Sequence, residues 1–499
     1  MFKKLTAIAL LAAMLMTAAA CSDSGSNLND PAQDTTAQAG EQQAETTTAE
    51  EGPDLPEKNF DGYEFKSLSR GFHAGSTHWY IFDTEYFEEQ AGDVVMDAVL
   101  ERNTKIEEQY NCKIKILQLS TTYTEVIGIA RTAILAGDDM FDIYGESIAT
   151  SSQLAAEGMM VELTTVPYLN LEADYWDQKA REQLSVGGKL YTMISDFTLM
   201  DKHGTWITMF TKKVIEDYKM DDPYRLVRDG KWTLDKMYDM AKVAVHDVDG
   251  DGIMTEADSW GTAGEVWNIN AFMVGCDVLT FTKNKDDIPE ITLDNEHAVN
   301  AFEKANKIIG DHNFSIWSNK TKNTYSDFAV DCVAPMMEEG RVPFYVTGMN
   351  RVILFRGMDT DFGIIPQPKY DENQDEYKII LTYGNTNSVS VPITNGDLER
   401  TGIILEAITY ESSKTTYPAY IEKTIKGKHI RDEESIEMLE LIFDNRAFDL
   451  GIIFNWGSVG SFYTGLTNST DPNYTSTLDA NSVNYVTNME KTVELFQGN

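Results

Sequence analysis

Cysteine is scarce in this chain, with four in 499 residues. Cys21 closes the opening apolar run, which leaves Cys112, Cys276 and Cys332, too few for a disulfide framework. The count still admits one pair, Cys276 with Cys332. Positive charge is also short: 41 lysines and arginines face 80 acidic residues, for a net charge of -39. No basic stripe offsets it, so a polyanion would be repelled and nucleic-acid binding is excluded. No stretch of 18 apolar residues follows the first twenty residues, so no later segment reads as a membrane-spanning helix. The seven histidines are scattered; His73 and His78 share a loop without a third ligand. There is no HExxH zinc motif and no GxxxxGK[ST] phosphate loop. Gly145-Glu146-Ser147-Ile148-Ala149 approaches a nucleophile elbow, but Ala149 replaces the second glycine, and a strand-to-helix loop accounts for it. The chain is therefore not expected to be an enzyme, although residue types alone do not dismiss a glycosidase at this acidity.

What is present begins at the N-terminus. Lys3 and Lys4 precede an apolar run from Leu5 to Ala20, and Ala18-Ala19-Ala20 leads directly into Cys21. The pattern is that of an export signal, and the cysteine after small residues resembles the lipobox of bacterial lipoproteins. That family usually has leucine three residues before the cysteine, where this chain has Ala18; the alternative is an ordinary cleaved signal with an incidental cysteine. The resemblance implies that 1–20 is removed and that Cys21 is lipidated at the outer face of a bacterial cell membrane. Residues 21–58 are Ser, Thr, Gln, Ala and acid with almost no large apolar side chain, a composition too poor in burial to fold, so a disordered tether is expected.

About 440 residues then remain, enough for two or three lobes. Val95, Val99, Ile106 and Tyr110 recur at helical spacing and predict a helix over 94–110. Cys112 to Ile116 alternates apolar and charged residues as a half-buried strand does. A helix is expected over 123–136, stopped by Gly137. Phe141 to Tyr144 reads as a short strand and 151–157 as a helix, while Gly187-Gly188 suits a tight hairpin turn. Strands alternating with helices imply an α/β body with largely parallel sheets.

The order of these pieces, followed by AGDDMFDIY, LAAEGMMVEL and GGKLYTMISD, resembles the first lobe of extracellular solute-binding proteins of ABC importers. It is most similar to the sugar-binding, maltodextrin-binding-like class called family 1. The likeness continues in FTKKVIEDYKMDDPYRLVRDGKWTLDKMYDMAK, DFGIIPQPKYDENQDEY and SVSVPITNGDLERTGIILEAITYES, and covers essentially everything from Asn59 onward. It implies a two-lobed, periplasmic-binding-protein-like fold of type II, each lobe a mainly parallel sheet flanked by helices. The hinge would be crossed near Asp196, Tyr383 and His429, giving one lobe of 59–197 plus 385–430 and another of 198–384 plus 431–499. The implied work is capture of a carbohydrate, as an oligosaccharide, and its delivery to the transmembrane subunits of an ABC permease by a monomer. A peptide or other non-sugar ligand, and a surface glycan-degrading lipoprotein, are the alternatives.

Residues 247–258, DVDGDGIMTEAD, match a calcium loop of the EF-hand kind. Asp247, Asp249 and Asp251 take positions one, three and five, Gly252 the sharp turn, Ile253 the backbone ligand and Asp258 position twelve. A hard divalent cation needs six or seven oxygens, which alternating carboxylates in a tight turn supply. Position twelve is Asp rather than Glu, and no helix is expected after it, so the loop resembles a dockerin-type single site with a structural Ca2+. An acidic surface turn is the alternative.

Ligand residues are sought beyond the carboxyl ends of strands, where two lobes would face each other. Glu146 and Ser147 follow FDIY; Asp196 follows LYTMIS, and the resemblance implies that it bonds sugar hydroxyls. Thr347 and Met349 follow VPFYV, and Tyr383 and Asn385 sit at a crossing. Trp176, Trp206, Trp267 and Trp456 are candidates for an aromatic floor under sugar rings, each with core packing as its alternative. Trp456 is preferred because the glycines and serines around it predict an exposed loop.

Overall fold

The computed structural model describes residues 52–70, 93–318, 321, 325–355, 357–430 and 432–498, apart from the side chains of 424, 425 and 427–429. The expected signal sequence over 1–20, Cys21, His73 and His78 lie outside these residues. Residues 52–58, expected in the tether, belong to the folded body: Leu55 packs on the core and Lys58 pairs with Glu399 at 2.9 Å. Leu55 supplies there the apolar anchor that the preceding segment lacks.

The first lobe alternates strand and helix: β1 (Tyr63–Ser69), α1 (Val94–Tyr110), β2 (Cys112–Gln118), α2 (Tyr123–Ala136), β3 (Ile143–Tyr144) and α3 (Ile148–Ala156). Local chemistry sets the helix ends. Asp93 caps the amides of Val95 and Met96, Thr122 caps Glu125, and Gly137 ends α2 at φ 71°, where a side chain would be strained. The strands stack in the order β2-β1-β3 and are all parallel. A fourth, antiparallel member arrives from far along the chain. Tyr144 pairs with Ser390, Met193 with Val389 and Met160 with Pro392.

The second lobe carries β4 (Trp206–Thr211), α4 (Leu234–Ala241), β5 (Thr262–Gly264), α5 (Asn268–Gly275), the hairpin β6 (Phe281–Lys283) and β7 (Pro289–Ile291), α6 (Glu296–Ile309), β8 (Ser315–Trp317), β9 (Phe344–Gly348) and β10 (Phe362–Ile365). Its sheet runs β10-β4-β9-β5-β8 and is mixed rather than mainly parallel. β4 is antiparallel to both β9 and β10, while β5 is parallel to β8 and β9. β4 enters from the hinge, opposite in direction to the strands that end there.

The chain returns through α7 (Leu398–Lys414), which packs on α1, and then α8 (Glu433–Asp444), which covers β10. The C-terminal α9 (Leu450–Phe454) and α10 (Tyr474–Gln497) both touch α3 of the first lobe, α10 also reaching β7 and α9 reaching β6. Three passes lie side by side at the hinge. Thr205 pairs antiparallel with Leu381, and Ile379 pairs parallel with Arg446. Cys112, Cys276 and Cys332 are all buried and free, so Cys276 and Cys332 do not pair. No described helix is long and apolar enough to cross a membrane.

Candidate functional site

β9 and β5 end, and the antiparallel β4 begins, on the same edge of the second sheet, with Trp206 in register with Gly348. Three turns thus open together. The first presents Trp206, the second Glu265 and Trp267, and the third Thr347 to Arg351. Asn268 clamps the second turn: its side chain takes the Glu265 amide hydrogen bond and donates to the Val346 carbonyl at 2.9 Å. Gly264 makes room for it, since a Cβ there would lie 2.3 Å from Asn268 Oδ1. The hinge segment Ile380–Asn385 forms a further wall, and Tyr123, the first residue of α2, reaches in from the other lobe. Together they enclose a cavity of about 540 Å³.

Its aromatic members are Trp206, Trp267, Tyr123 and Tyr383, and its amides Asn270, Asn350 and Asn385. Trp267 is 54% exposed, unusual for the largest apolar side chain. Arg351 is held by Asp327 at 2.8 Å. Burial raises the Glu265 carboxyl above the usual carboxylate range; Arg351 offsets part of this and Asp327 adds to it. Behind the cavity, Arg70 pairs with Glu146 at 2.9 Å, donates to Asn385 Oδ1 at 3.0 Å and lies over the Tyr123 ring at 5.9 Å.

The residues expected from sequence therefore divide. Trp206, Thr347, Tyr383 and Asn385 meet in the cavity. Glu146 is buried behind it and acts on it through Arg70. Ser147 is buried as the cap of α3, accepting from the Thr150 amide at 3.3 Å. Met349 is buried, its amide bonded to the Thr205 carbonyl at 2.8 Å. Asp196 lies elsewhere, lining a separate cavity of about 460 Å³ with Trp176, Tyr417 and Arg446. Burial raises its carboxyl, and Lys202 at 3.0 Å pulls it back.

Trp456 is a correction. It is 3% exposed, stacked on Phe454 with centroids 5.0 Å apart, and its indole donates to Thr492 at 2.9 Å. Gly457 lies against Asn484 of α10, so the small residues around Trp456 serve close helix packing rather than exposure. Trp176 is buried too and donates to Glu406 at 3.1 Å. Tyr123, Glu265, Asn270, Asn350 and Arg351 were not expected. The one available signal was Trp267, since β5 is a three-residue strand, Thr-Ala-Gly, with no period to read.

The acidic loop lies apart. Asp247, Asp249 and Asp258 each place a carboxylate oxygen within 4.8 Å of the others; Asp251 is outside this trio and caps the Ile253 amide at 2.7 Å. Asp247 accepts from the amides of Gly252 at 2.6 Å and Gly250 at 2.7 Å, which hold its carboxyl below the ordinary range. Gly252 turns at φ 81°. Asp258 is fully buried. Burial opposes its charge, but the amides of Val248 and Thr255 outweigh this and lower its carboxyl. Arg341 fastens the far end through the carbonyls of Glu256 and Asp258 at 2.7 and 2.9 Å. Ile253, expected to offer its carbonyl, has an exposed side chain.

The family described as bacterial extracellular solute-binding protein matches residues 88–396, more than half of the chain. No curated protein matches by sequence. Among solved structures, the galacto-N-biose/lacto-N-biose I-binding protein of an ABC transporter from Bifidobacterium longum, in complex with lacto-N-biose, is similar at 10% identity. It has a TM-score of 0.55, with 87% of this chain and 99% of that one covered. An ABC transporter associated binding protein from B. animalis subsp. lactis, in complex with β-1,6-galactobiose, gives 14% identity, TM-score 0.53, and 87% and 98% coverage. The substrate-binding protein Lmo0181 from Listeria monocytogenes, in complex with cycloalternan, gives 13%, 0.51, and 88% and 99%. At these identities the likeness is one of fold.

Proposed function

The chain belongs to the family of bacterial extracellular solute-binding proteins, and from that premise we propose that its solute is an oligosaccharide, bound between the lobes and delivered to an ABC permease. One observation carries this: an interlobe cavity of about 540 Å³ bordered by Trp206, Trp267 and Tyr123 together with three amide side chains. Flat aromatic faces take the apolar faces of pyranose rings, and amides both donate to and accept from hydroxyls. No nucleophile with a base beside it is needed. Binding shifts the population toward a closed state that a permease can recognise. Titration calorimetry and small-angle scattering with a panel of di- to tetrasaccharides test it. Saturable heat, a smaller radius of gyration and no released reducing ends are expected. Released reducing ends favour a glycan-degrading protein, and saturable binding of peptides alone favours a peptide carrier.

Within the same reading, the family's extracellular setting is refined by Cys21 as a lipid anchor and the residues after it as a tether, with one copy of the chain sufficient for the cleft. Mass spectrometry of the mature N-terminus checks the anchor: an unmodified residue at the cleavage site removes it. The loop of Asp247, Asp249, Asp251, Ile253 and Asp258 is assigned a structural calcium ion. The convergence of three carboxylates on a glycine turn supports it.

A further inference from the structure

Arg70 stands one residue beyond β1 and Glu146 two beyond β3, and the parallel pairing of these strands brings their side chains together at one sheet edge. The Glu146 carboxylate accepts from the Arg70 amide at 2.9 Å and pairs with its Nε at 2.9 Å, and both residues are buried. A planar guanidinium held at one edge keeps the rest of its fork in one direction. That direction is the hinge wall of the cavity. Nη1 donates to Asn385 Oδ1 at 3.0 Å and Nη2 to the Gly384 carbonyl at 3.3 Å. The Asn385 backbone is pinned as well, its amide donating to the Thr382 carbonyl at 3.0 Å.

An asparagine side chain has one accepting end and one donating end, and Arg70 occupies the accepting one. Turning the amide over would set its N–H groups against those of the guanidinium and lose a charge-assisted bond, so one orientation prevails. Nδ2 donates to no described residue, and Asn385 is half-buried on the border of the cavity. A sugar hydroxyl can donate or accept, but an amide held in this way asks only for a lone pair. Resting on the oligosaccharide reading, we infer that Asn385 reads one ligand hydroxyl solely as a hydrogen-bond acceptor, with Arg70 the positioning residue that fixes this polarity. Fluorine in place of that hydroxyl keeps a lone pair without a proton, and hydrogen keeps neither, so the two replacements report the polarity.

The test is calorimetry with the maltose, cellobiose, β-1,4-galactobiose and β-1,4-xylobiose series, two to four units long, then with the monodeoxy and monodeoxyfluoro derivatives of the tightest binder. At the hydroxyl that Asn385 reads, the deoxy sugar is expected to lose at least about tenfold in affinity and the fluoro sugar to recover at least about threefold of it. Asn385→Ala should abolish the deoxy penalty at that position alone. Asn385→Asp keeps an oxygen for Arg70 but makes the other end an acceptor. The parent sugar should still bind to it, now donating its proton, while the fluoro sugar falls to the level of the deoxy one or below. Arg70→Lys keeps a charge beside Glu146 without the fork and should narrow the gap between fluoro and deoxy sugars. A circular-dichroism melt of each variant separates this from loss of fold. If no deoxy penalty responds to Asn385→Ala, or if fluorine binds no better than hydrogen where one does, the inference is overturned and the oligosaccharide reading stands. Binding of no saccharide by the wild-type chain removes both.

Discussion

Tryptophan has two fates in this protein, and the difference is measurable. Trp267 stands 54% exposed at the mouth of the cavity, whereas Trp456 is 3% exposed under α10. Trp267→Ala is expected to lower ligand affinity by about tenfold or more, as for aromatic anchors in binding sites, with the melting temperature nearly unchanged. Trp456→Ala should instead cost about 3–5 kcal/mol in chemical denaturation and leave the affinity of the folded fraction intact. Sequence alone could not assign these fates, because burial is decided by tertiary partners: Trp456 is covered by Phe281 and by Thr492 of α10. A second residue-level expectation concerns Asp449, the cap of α9, buried and bonded to Thr280 through its amide at 2.7 Å and through its hydroxyl. Burial raises its carboxyl from 3.8 to about 6, with those bonds opposing. The folded chain thus holds a proton that the unfolded chain has released between these values. The stability contributed by the site is full below pH 4 and is lost as pH rises through 6. The stability gap between wild type and Asp449→Asn should therefore shrink by up to about 3 kcal/mol from pH 4 to 7. A gap constant with pH would count against it.

At the scale of elements, what could be read from sequence was whatever is decided locally. The helices over 94–110 and 123–136 have the expected ends because Asp93, Thr122 and Gly137 cap them from adjacent positions. The turn at Gly187-Gly188 has the positive φ angles, 59° and 73°, expected of it. β5 and β8 were missed because three residues carry no alternation; partners from elsewhere in the sheet make them strands. The same logic explains the cavity: Trp206 was in view, while Tyr123, Asn270 and Arg351 reach it only through tertiary placement. The acidic loop is local in this sense, and its prediction is direct. Adding calcium to chelator-treated protein at about a hundred times Kd should raise stability by roughly 2.7 kcal/mol, seen as a higher melting temperature. Asp247→Asn or Asp258→Asn should blunt that rise, and an unchanged melt would leave the loop as an acidic turn.

The whole molecule turns on its three adjacent passes, and charge pins them. Arg446 on the third pass pairs with Asp177 of the first lobe and with Asp201 beside the first pass. Burial works against the Asp201 charge, but Lys202 and Arg446 prevail and hold its carboxyl below the ordinary range. Arg446→Ala would take the cationic partner from Asp177 and leave Asp201 with Lys202 alone, and is expected to cost about 3–5 kcal/mol by urea denaturation. Arg446→Ala combined with Asp201→Asn should recover part of that loss. Full additivity of the two substitutions would show that the residues do not act together. The resemblance to a two-lobed carrier could be read from the order of segments, but this pivot could not, because its members are separated by up to 269 positions.

The antiparallel strand that reaches the first sheet from residues near 390 carries a consequence for biogenesis. Tyr144 waits for Ser390, so at about 5–20 residues per second of synthesis the first lobe stays incomplete for tens of seconds. A lobe that cannot close early stays an open chain for longer, which suits a member of an extracellular family, whose working place lies beyond the site of synthesis.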